Sequence, residues 1–182
     1  MKTESTVMYV LRLALTLLAI TAVVAAALAG VNSITAPKIE ELTYQKTQQA
    51  IEAVLPGGGE SVDFTDESGI VSTVYKGANG YAVEVAPAGF DGAITMMVGV
   101  DLNGNVLGIS VISQTETAGL GAVCAASTSA GEAFRGQFVG MSGTVTVSKD
   151  GGEVSAITGA TITSRAVCKG VTAALECVAN MG

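Results

Sequence analysis

Histidine is absent from this 182-residue chain, and cysteine occurs only three times. Without histidine the chain has no Ser-His or Cys-His nucleophile pair, no imidazole metal ligand and no C-x-x-C-H haem site. Cys124, Cys168 and Cys177 are too widely spaced for a zinc or iron–sulfur framework. The P-loop pattern G-x-x-x-x-G-K-[ST] is also missing. These absences argue against the common hydrolases, metalloenzymes and nucleotide triphosphatases.

The spacing of the cysteines leaves their pairing open. Cys168 and Cys177 lie on one predicted helix, about 180° apart around its axis, so they cannot bridge each other there. Cys124 can pair with either of them, or the three can be buried free thiols.

Positive charge is also scarce. Lys2, Arg12 and Glu4 are the charged residues before residue 32, so the rest of the chain holds seven of the nine basic and fifteen of the sixteen acidic residues, a net charge of −8. Such a surface repels nucleic acid and anionic lipid headgroups, and we expect neither as a partner.

The excess of apolar residues is confined to one segment. Leu13 to Val31 form nineteen positions without a charge. At 1.5 Å per residue, this is roughly 28 Å of helix, about the thickness of a hydrocarbon core. A cleavable signal peptide is the alternative, since Ala27-Leu28-Ala29 resembles a signal peptidase site. The run is longer than a typical signal-peptide core, which favours an uncleaved anchor.

The predicted organisation follows from this anchor. We expect a short cytoplasmic N-terminus at 1–12, a transmembrane helix at 13–31, an amphipathic helix and linker at 32–60, and an extracytoplasmic domain at 61–182. Thr35 and Pro37 are typical start signals for the second helix. The predicted inner face of that helix consists of Ile39, Leu42, Lys46, Ala50, Ala53 and Val54.

Alternating apolar residues predict strands in the last domain. Three or four strands of an antiparallel meander are expected at Ile70–Tyr75, Tyr81–Val85, Ile94–Val100 and Val106–Ile112. Asn103-Gly104 is a strong hairpin signal, because both residues tolerate the positive φ of a tight turn. Two more strands are predicted at Thr144–Ser148 and Glu153–Ile157, around a turn that contains Lys149.

Two helices complete the predicted fold. The first, Ser127–Phe138, has serine or threonine caps. The second runs from Thr163 or Ser164 to Ala179 and places Val167, Val171, Ala174 and Val178 on one face. The fold class is therefore α+β: one N-terminal transmembrane helix followed by a twisted antiparallel sheet covered by helices.

Two loops carry the residue types of a binding site. Ser113–Gly121, S-Q-T-E-T-A-G-L-G, combines the carboxylate of Glu116 with glycines that let the backbone approach a flat ligand, against which Leu120 can press. Ala156–Val167, A-I-T-G-A-T-I-T-S-R-A-V, lies at a strand-to-helix junction, where free N–H groups and the helix dipole favour an anion. Each loop also fits an ordinary polar turn, with Thr163 or Ser164 as the helix N-cap.

The second loop contains a recognisable motif. T-G-A-T at Thr158–Thr161, followed by I-T-S, resembles the S/T-G-A-T flavinylation motif of FMN-binding domains in the G subunits of Rnf electron-transport complexes and the C subunits of sodium-pumping NADH:quinone reductases. E-T-A-G-L-G at Glu116–Gly121 is similar to the family's E-T-P-G-L-G element. A-G-F-D-G-A-I and N-x-I-T-A-P-K-I are also family-like, and about 150 residues outside the membrane look more like the Rnf subunit.

The resemblance implies a covalent FMN. In these families the last threonine of the motif carries FMN through a phosphoester bond, installed by a flavin transferase that uses FAD, which implies Thr161 as the acceptor. Thr158, Gly159 and Ala160 would shape the attachment loop. The residues implied to set the flavin's environment are Glu116, Thr117, Gly119, Leu120 and Gly121.

The implied function is electron transfer in the cell membrane. The resemblance implies an electron-relay subunit of a complex that couples electron transfer between ferredoxin and NAD to ion translocation, with other membrane and electron-transfer subunits as partners. The chain departs from the family at Ser155, where many flavinylated sequences have aspartate, and at Ala118, where the family has proline. A free-standing anchored flavoprotein and a secreted interaction domain without flavin are the alternative functions.

Overall fold

The structure is a computed structural model, and it describes residues 3–66 and 68–181. Its first element, helix α1, spans Thr3–Val54. The predicted start of a second helix at Thr35 is wrong: the hydroxyl of Thr35 donates back to the carbonyl of Val31 at 2.7 Å, and Pro37 lies inside the helix. Proline lacks an N–H, so it removes one backbone hydrogen bond, and here the helix continues past it.

The chain divides into two compact units between Tyr44 and Gln45. The first unit is the N-terminal part of α1, whose large apolar side chains are exposed. Among the described residues, α1 is the one helix that is long and apolar enough to cross a membrane. Lys2, which belongs to the predicted cytoplasmic segment, lies outside the described residues. The length and composition of α1 agree with a membrane anchor.

The second unit is built on a five-stranded antiparallel sheet in which each strand pairs with the next along the chain. The strands are β1 (Glu60–Val62), β2 (Val71–Lys76), β3 (Gly80–Val85), β4 (Thr95–Asp101) and β5 (Val106–Ser113). The four strands of the predicted meander are confirmed to within one residue. The hairpin between β4 and β5 turns at Gly104, whose φ is +80°, and the carboxylate of Asp101 accepts a hydrogen bond from the N–H of Asn105 at 2.7 Å.

Two helices cover one face of the sheet. They are α2 (Ser129–Gly136) and α3 (Thr161–Ala179), and α3 packs on β2, β3 and β4. The hydroxyl of Thr128 caps α2 by accepting from the N–H of Gly131 at 3.3 Å, as the predicted cap requires. The face of α3 predicted to pack on the sheet is buried at each position: Val167, Val171, Ala174 and Val178. The predicted α+β class is confirmed.

The end of α1 covers the opposite face. The apolar cluster there contains Ala50, Ile51, Val54, Leu55, Ala82, Met97 and Ile112. Gly99 of β4 allows the close approach, because a Cβ at this position would collide with the carbonyl oxygen of Val54. Of the predicted inner face, Ala50 and Val54 are buried, whereas Ile39, Leu42 and Ala53 are exposed. The middle of the sheet is thus buried on both sides.

The two strands predicted at Thr144–Ser148 and Glu153–Ile157 do not form. Val147 and Val154 make a single isolated bridge, and the residues that follow Val147, Ser148–Asp150, coil into a short 3-10 helix. The N–H of Val145 donates to the hydroxyl of Thr172 on α3 at 3.0 Å, a side-chain partner in place of a neighbouring strand. The alternating valines that suggested strands are instead the buried anchors of a loop on α3.

The three cysteines, which all lie among the described residues, are buried and free. Burial raises the pKa of the Cys124 and Cys168 thiols to about 11. At neutral pH these thiols are protonated and therefore poor nucleophiles. The free-thiol alternative is confirmed, and the cysteines act as small core residues.

Candidate functional site

The two loops singled out in the sequence meet at one cleft of about 350 Å³, beside the N-terminal end of α3. The predicted site residues that line it are Glu116, Thr117, Leu120, Gly121, Gly159, Ala160 and Thr161. Gly119 and Thr158 belong to the same loops but are not among the lining residues. The cleft also contains residues that sequence reasoning did not assign to the site: Phe90, Lys149, Ile162 and Thr163.

Each loop contains the same tight turn. In the turn Thr117–Leu120, the N–H of the last residue donates to the carbonyl of the first at 3.1 Å, and Gly119 stands third with φ +76°. In the turn Ile157–Ala160, the corresponding hydrogen bond is 2.9 Å long, and Gly159 stands third with φ +77°. A positive φ at the third position is typical of a type II turn and favours glycine. Backbone geometry therefore explains one glycine in each motif.

The two turns touch each other through Leu120 and Gly159. A Cβ at Gly159 would lie 3.0 Å from Cδ2 of Leu120, closer than most side-chain carbons pack. Two requirements therefore favour glycine at position 159: the backbone has a positive φ, and a side chain would press on Leu120. The contact joins the loop after β5 to the loop before α3 and forms one wall of the cleft.

A buried carboxylate ties three segments of the site together. Oε1 of Glu116 accepts hydrogen bonds from the backbone N–H groups of Phe90 at 2.8 Å and Asp91 at 3.0 Å, and Oε2 accepts one from the hydroxyl of Thr163. Glu116 is only 7% exposed. Desolvation acts to raise the pKa of Glu116, but these hydrogen bonds outweigh it and hold the pKa below its usual value. Glu116 is therefore ionised at neutral pH and fully engaged within the protein.

Two glycines make room for this carboxylate. A Cβ at Gly89 would collide with Oε1 of Glu116, and one at Gly121 would press on Oε2 and on the hydroxyl of Thr163. The packing of the protein alone thus explains why the last residue of E-T-A-G-L-G, Gly121, is a glycine, without reference to a ligand. Gly121 lets the chain pass over the hydrogen bond between Glu116 and Thr163.

Helix α3 begins at Thr161, before the predicted caps. Its N-cap is Ala160, whose side chain makes no capping hydrogen bond. The prediction that Thr163 or Ser164 caps the helix is wrong, because both lie inside the first turn. The hydroxyl of Ser164 donates to the carbonyl of Ala160 at 2.9 Å and accepts from the N–H of Ile157 at 3.0 Å, while that of Thr163 binds the buried carboxylate. A helix start without a capping side chain can bind an anion from the cleft.

Thr161 presents its hydroxyl to a lysine. Nζ of Lys149 donates a hydrogen bond to Oγ1 of Thr161 at 3.2 Å, and both residues line the cleft. Lys149 belongs to the short 3-10 helix Ser148–Asp150, where the sequence predicts the turn of a hairpin. A lysine in a predicted turn carries no signal for such a contact. The contact between Lys149 and Thr161 becomes visible only in the tertiary structure, where this 3-10 helix lies beside the start of α3.

The residues of the cleft fit FMN. Phe90, Leu120 and Ile162 are 66%, 43% and 50% exposed and give the cleft an apolar surface suited to a flat aromatic ring. The uncapped start of α3 and the ammonium group of Lys149 suit a phosphate. The arrangement can therefore hold an anionic aromatic ligand with its phosphate beside Thr161.

The chain is similar to known proteins along most of its length. Residues 89–176, which include the whole cleft, match the model of the FMN-binding domain family. The G subunit of the Na⁺-translocating ferredoxin:NAD⁺ oxidoreductase complex of Acetobacterium woodii is 34% identical over 195 residues, covering 94% of this chain and 93% of the relative.

Two further relatives are G subunits of complexes named ion-translocating oxidoreductase. The protein from Methanosarcina acetivorans is 32% identical over 178 residues, which cover 90% of this chain and 91% of the relative. The protein from Photorhabdus laumondii is 33% identical over 162 residues, covering 79% of this chain and 78% of the relative. The similarity thus extends over both α1 and the second unit, which begins at Gln45 and is called the folded unit below.

Proposed function

The chain belongs to the G subunits of Rnf-type ion-translocating oxidoreductase complexes, and on this premise we propose that it is the electron-relay subunit that carries covalent FMN in such a complex. The complex couples electron transfer between ferredoxin and NAD to the translocation of an ion. The chain holds the flavin in the cleft and is not catalytic alone. FMN supplies the uptake and release of electrons.

One observation carries this proposal. The two motifs, far apart in the sequence, enclose a single cleft, and the hydroxyl of Thr161 stands at that cleft and at the start of α3. A phosphate on Thr161 would face the positive end of the helix dipole. The same position would bring an attached ring close to Leu120 and Phe90, which line the cleft.

The attachment is a group transfer from FAD by a flavin transferase. Oγ1 of Thr161 forms a bond to the phosphorus on the FMN side of FAD, the bond to the bridging oxygen of the pyrophosphate breaks, and AMP leaves. The hydroxyl proton of Thr161 is released, and no electrons change hands. Thr158, Gly159 and Ala160 present this hydroxyl, because the turn before α3 leaves it partly exposed.

The other site residues hold the cleft in shape. Glu116 fixes the first turn of α3 to the loop that contains Phe90, so its carboxylate positions the walls and has no free oxygen for proton transfer. Thr117, Gly119 and Leu120 belong to the turn that contacts Gly159 and forms one wall of the cleft, and Gly121 follows this turn. Together they place apolar surface where the ring is expected and polar groups where the phosphate is expected.

The anchor gives the subunit its place in the membrane. Between Leu13 and Val31 the polar side chains Thr16 and Thr21 donate to carbonyls of their own helix, and no ionisable residue occurs there. Such a helix offers no path for an ion. Ion translocation is therefore assigned to other membrane subunits, and the domain at 61–182 is assigned to the extracytoplasmic side, reached by electron-transfer partners there.

The acceptor is tested by expressing the full chain in cells that contain a flavin transferase and reading flavin fluorescence in a denaturing gel. Thr161→Val should abolish the fluorescent band, and Thr161→Ser, which keeps a hydroxyl, should retain it. Thr144→Val is the matched control and should keep the band, because this exposed threonine does not line the cleft. A fluorescent Thr161→Val protein contradicts the acceptor assignment, and a colourless wild type contradicts covalent flavin altogether.

The place in a complex is tested separately. Affinity purification of the full chain from its native membrane should bring down membrane and electron-transfer subunits in fixed ratio. A flavinylated chain that purifies alone under mild detergent conditions would instead favour a free-standing anchored flavoprotein.

A further inference from the structure

Lys149 stands where the phosphate of a flavin on Thr161 would lie. Its Nζ donates to Oγ1 of Thr161 at 3.2 Å. Among the described residues that line the cleft, Lys149 is the only cation, and Glu116, the only acid, already accepts three hydrogen bonds from the protein. In a chain with a net charge of −7, a lysine that forms none of the described salt bridges and lies beside the acceptor hydroxyl points to an anion.

The neighbouring residues hold Lys149 in place. Asp150 accepts two hydrogen bonds from the guanidinium of Arg165, Nε to Oδ2 at 2.6 Å and a second from a terminal nitrogen to Oδ1 at 2.7 Å. Arg165 lies one turn after Thr161 on α3, so the pair fastens the 3-10 helix beside the acceptor. Ser148, on the other side of Lys149, donates its N–H to the carbonyl of Val154 at 2.8 Å.

The same ion pair engages the carboxylate that is nearest to Lys149 in the chain. Both carboxylate oxygens of Asp150 accept hydrogen bonds from Arg165, so this acid interacts with the neighbouring ammonium group of Lys149 electrostatically but without a salt bridge. The described ion pairs include none to Lys149. The side chain is therefore free to bind a phosphate oxygen as a point charge with three donors.

We propose that Lys149 is the phosphate-binding residue of the attachment site and that the Arg165–Asp150 ion pair is its positioning device. This inference rests on the proposed function and extends it. Lys149 selects the phosphorylated flavin and, after transfer, pairs with the single negative charge of the phosphodiester on Thr161. The ammonium group that now donates to a neutral hydroxyl would then donate to an anionic phosphate oxygen, so that both partners of the hydrogen bond carry charge.

The first test measures phosphate recognition without covalent transfer. Full-length protein from cells that lack a flavin transferase is titrated in detergent with FMN and with riboflavin, which has no phosphate, by quenching of flavin fluorescence. Wild type should bind FMN more tightly than riboflavin. Lys149→Met should reduce that ratio of affinities by about tenfold, the size expected for one hydrogen bond to a charged group.

The matched control removes the same charge from the same domain. Lys169→Met lies on the exposed side of α3, two turns beyond Thr161, and does not line the cleft. It should keep the wild-type preference for FMN. Equal affinity of the wild type for FMN and riboflavin overturns the inference, and so does an unchanged preference in Lys149→Met.

The positioning role has its own readout. Arg165→Met should lower the FMN preference, because Asp150 is then free to pair with Lys149, whereas Arg165→Lys, which can still contact Asp150, should restore part of it. Melting temperatures of both variants identify any loss of folding. If a folded Arg165→Met protein keeps the wild-type preference for FMN over riboflavin, the Arg165–Asp150 ion pair does not position Lys149.

A second assay separates this inference from the proposed function. With transferase and FAD present, Lys149→Met should load flavin about tenfold more slowly than wild type, and Lys149→Arg should recover part of the rate. Equal loading rates for wild type and Lys149→Met defeat the inference while covalent FMN stands. Failure of the wild type to load defeats the proposed function itself.

Discussion

The hydroxyl of Thr163 donates a hydrogen bond to Oε2 of Glu116, and this contact joins the loop after β5 to the first turn of α3. Both side chains are buried. Because Oε1 of the same carboxylate holds the loop at Phe90 and Asp91, one glutamate fixes three of the segments that surround the cleft. The carboxylate is therefore a structural centre of the site.

Removing the Thr163 hydroxyl should destabilise the folded unit. Thr163→Val keeps the shape of the side chain but leaves Oε2 of Glu116 without its donor, at a cost of about 1–3 kcal/mol in the free energy of unfolding. Urea unfolding of the full chain in detergent measures it. Thr158→Val, which changes an exposed threonine of the attachment turn, is the control and should stay within about 0.5 kcal/mol of wild type.

A double-mutant cycle isolates the contact itself. If the hydrogen bond is what couples the two residues, the effects of Thr163→Val and Glu116→Gln should differ from additivity by about 0.5–3 kcal/mol. Additive effects would mean that the two side chains stabilise the protein independently.

The folded unit should lose stability in acid through Glu116. Its hydrogen bonds hold the pKa of Glu116 in the folded protein below the usual value of 4.5. As the pH falls, Glu116 therefore takes up a proton in the unfolded chain before it does so in the folded protein. The stabilisation that ionised Glu116 gives the folded protein is complete above about pH 4.5, and it is lost as the pH drops through the lowered pKa. Unfolding curves between pH 3 and pH 7 should show a smaller loss for Glu116→Gln, and identical pH profiles would contradict the assignment.

The glycines at the two turns should respond differently to alanine. Gly119 and Gly159 have nearly the same φ, +76° and +77°, so alanine at either position meets the same left-handed backbone, a cost of about 1–2 kcal/mol. A Cβ at Gly119 meets open space, whereas one at Gly159 presses on Leu120. Gly159→Ala should therefore be the more destabilising of the two in thermal unfolding. Adding Leu120→Ala should remove most of the difference in stability between the two variants. A difference that persists would mean that contact with Leu120 is not its cause.

Proline should be accepted at Ala118. This residue is the second of the turn Thr117–Leu120, the position where a type II turn favours proline. Ala118→Pro restricts the unfolded chain and should raise the free energy of unfolding by about 0.4–1 kcal/mol, with flavin loading unchanged. A destabilised Ala118→Pro protein would show that the turn has another geometry.

Local patterns in the sequence were sufficient for much of the fold. The Asn-Gly hairpin between β4 and β5 and the helical periodicity of α3 depend on neighbours in the chain, and both elements are predicted to within two residues. The apolar run at 13–31 predicts a helix correctly but not its bounds, because α1 extends over Thr3–Val54. The same logic failed at Thr144–Ile157. There, alternating valines bury themselves against α3 and not in a sheet, because the partner is a side chain, Thr172, and not a strand.

The features of the candidate site also fall into those that are local in the sequence and those that depend on the tertiary structure. The sequence by itself determined the two motifs and their turn glycines, since a positive φ is a property of a few consecutive residues. Only the tertiary structure decided that Thr163 binds Glu116, 47 residues away, and that Lys149 reaches Thr161. Such contacts depend on how separate segments cross in space, and no short stretch of sequence encodes the crossing.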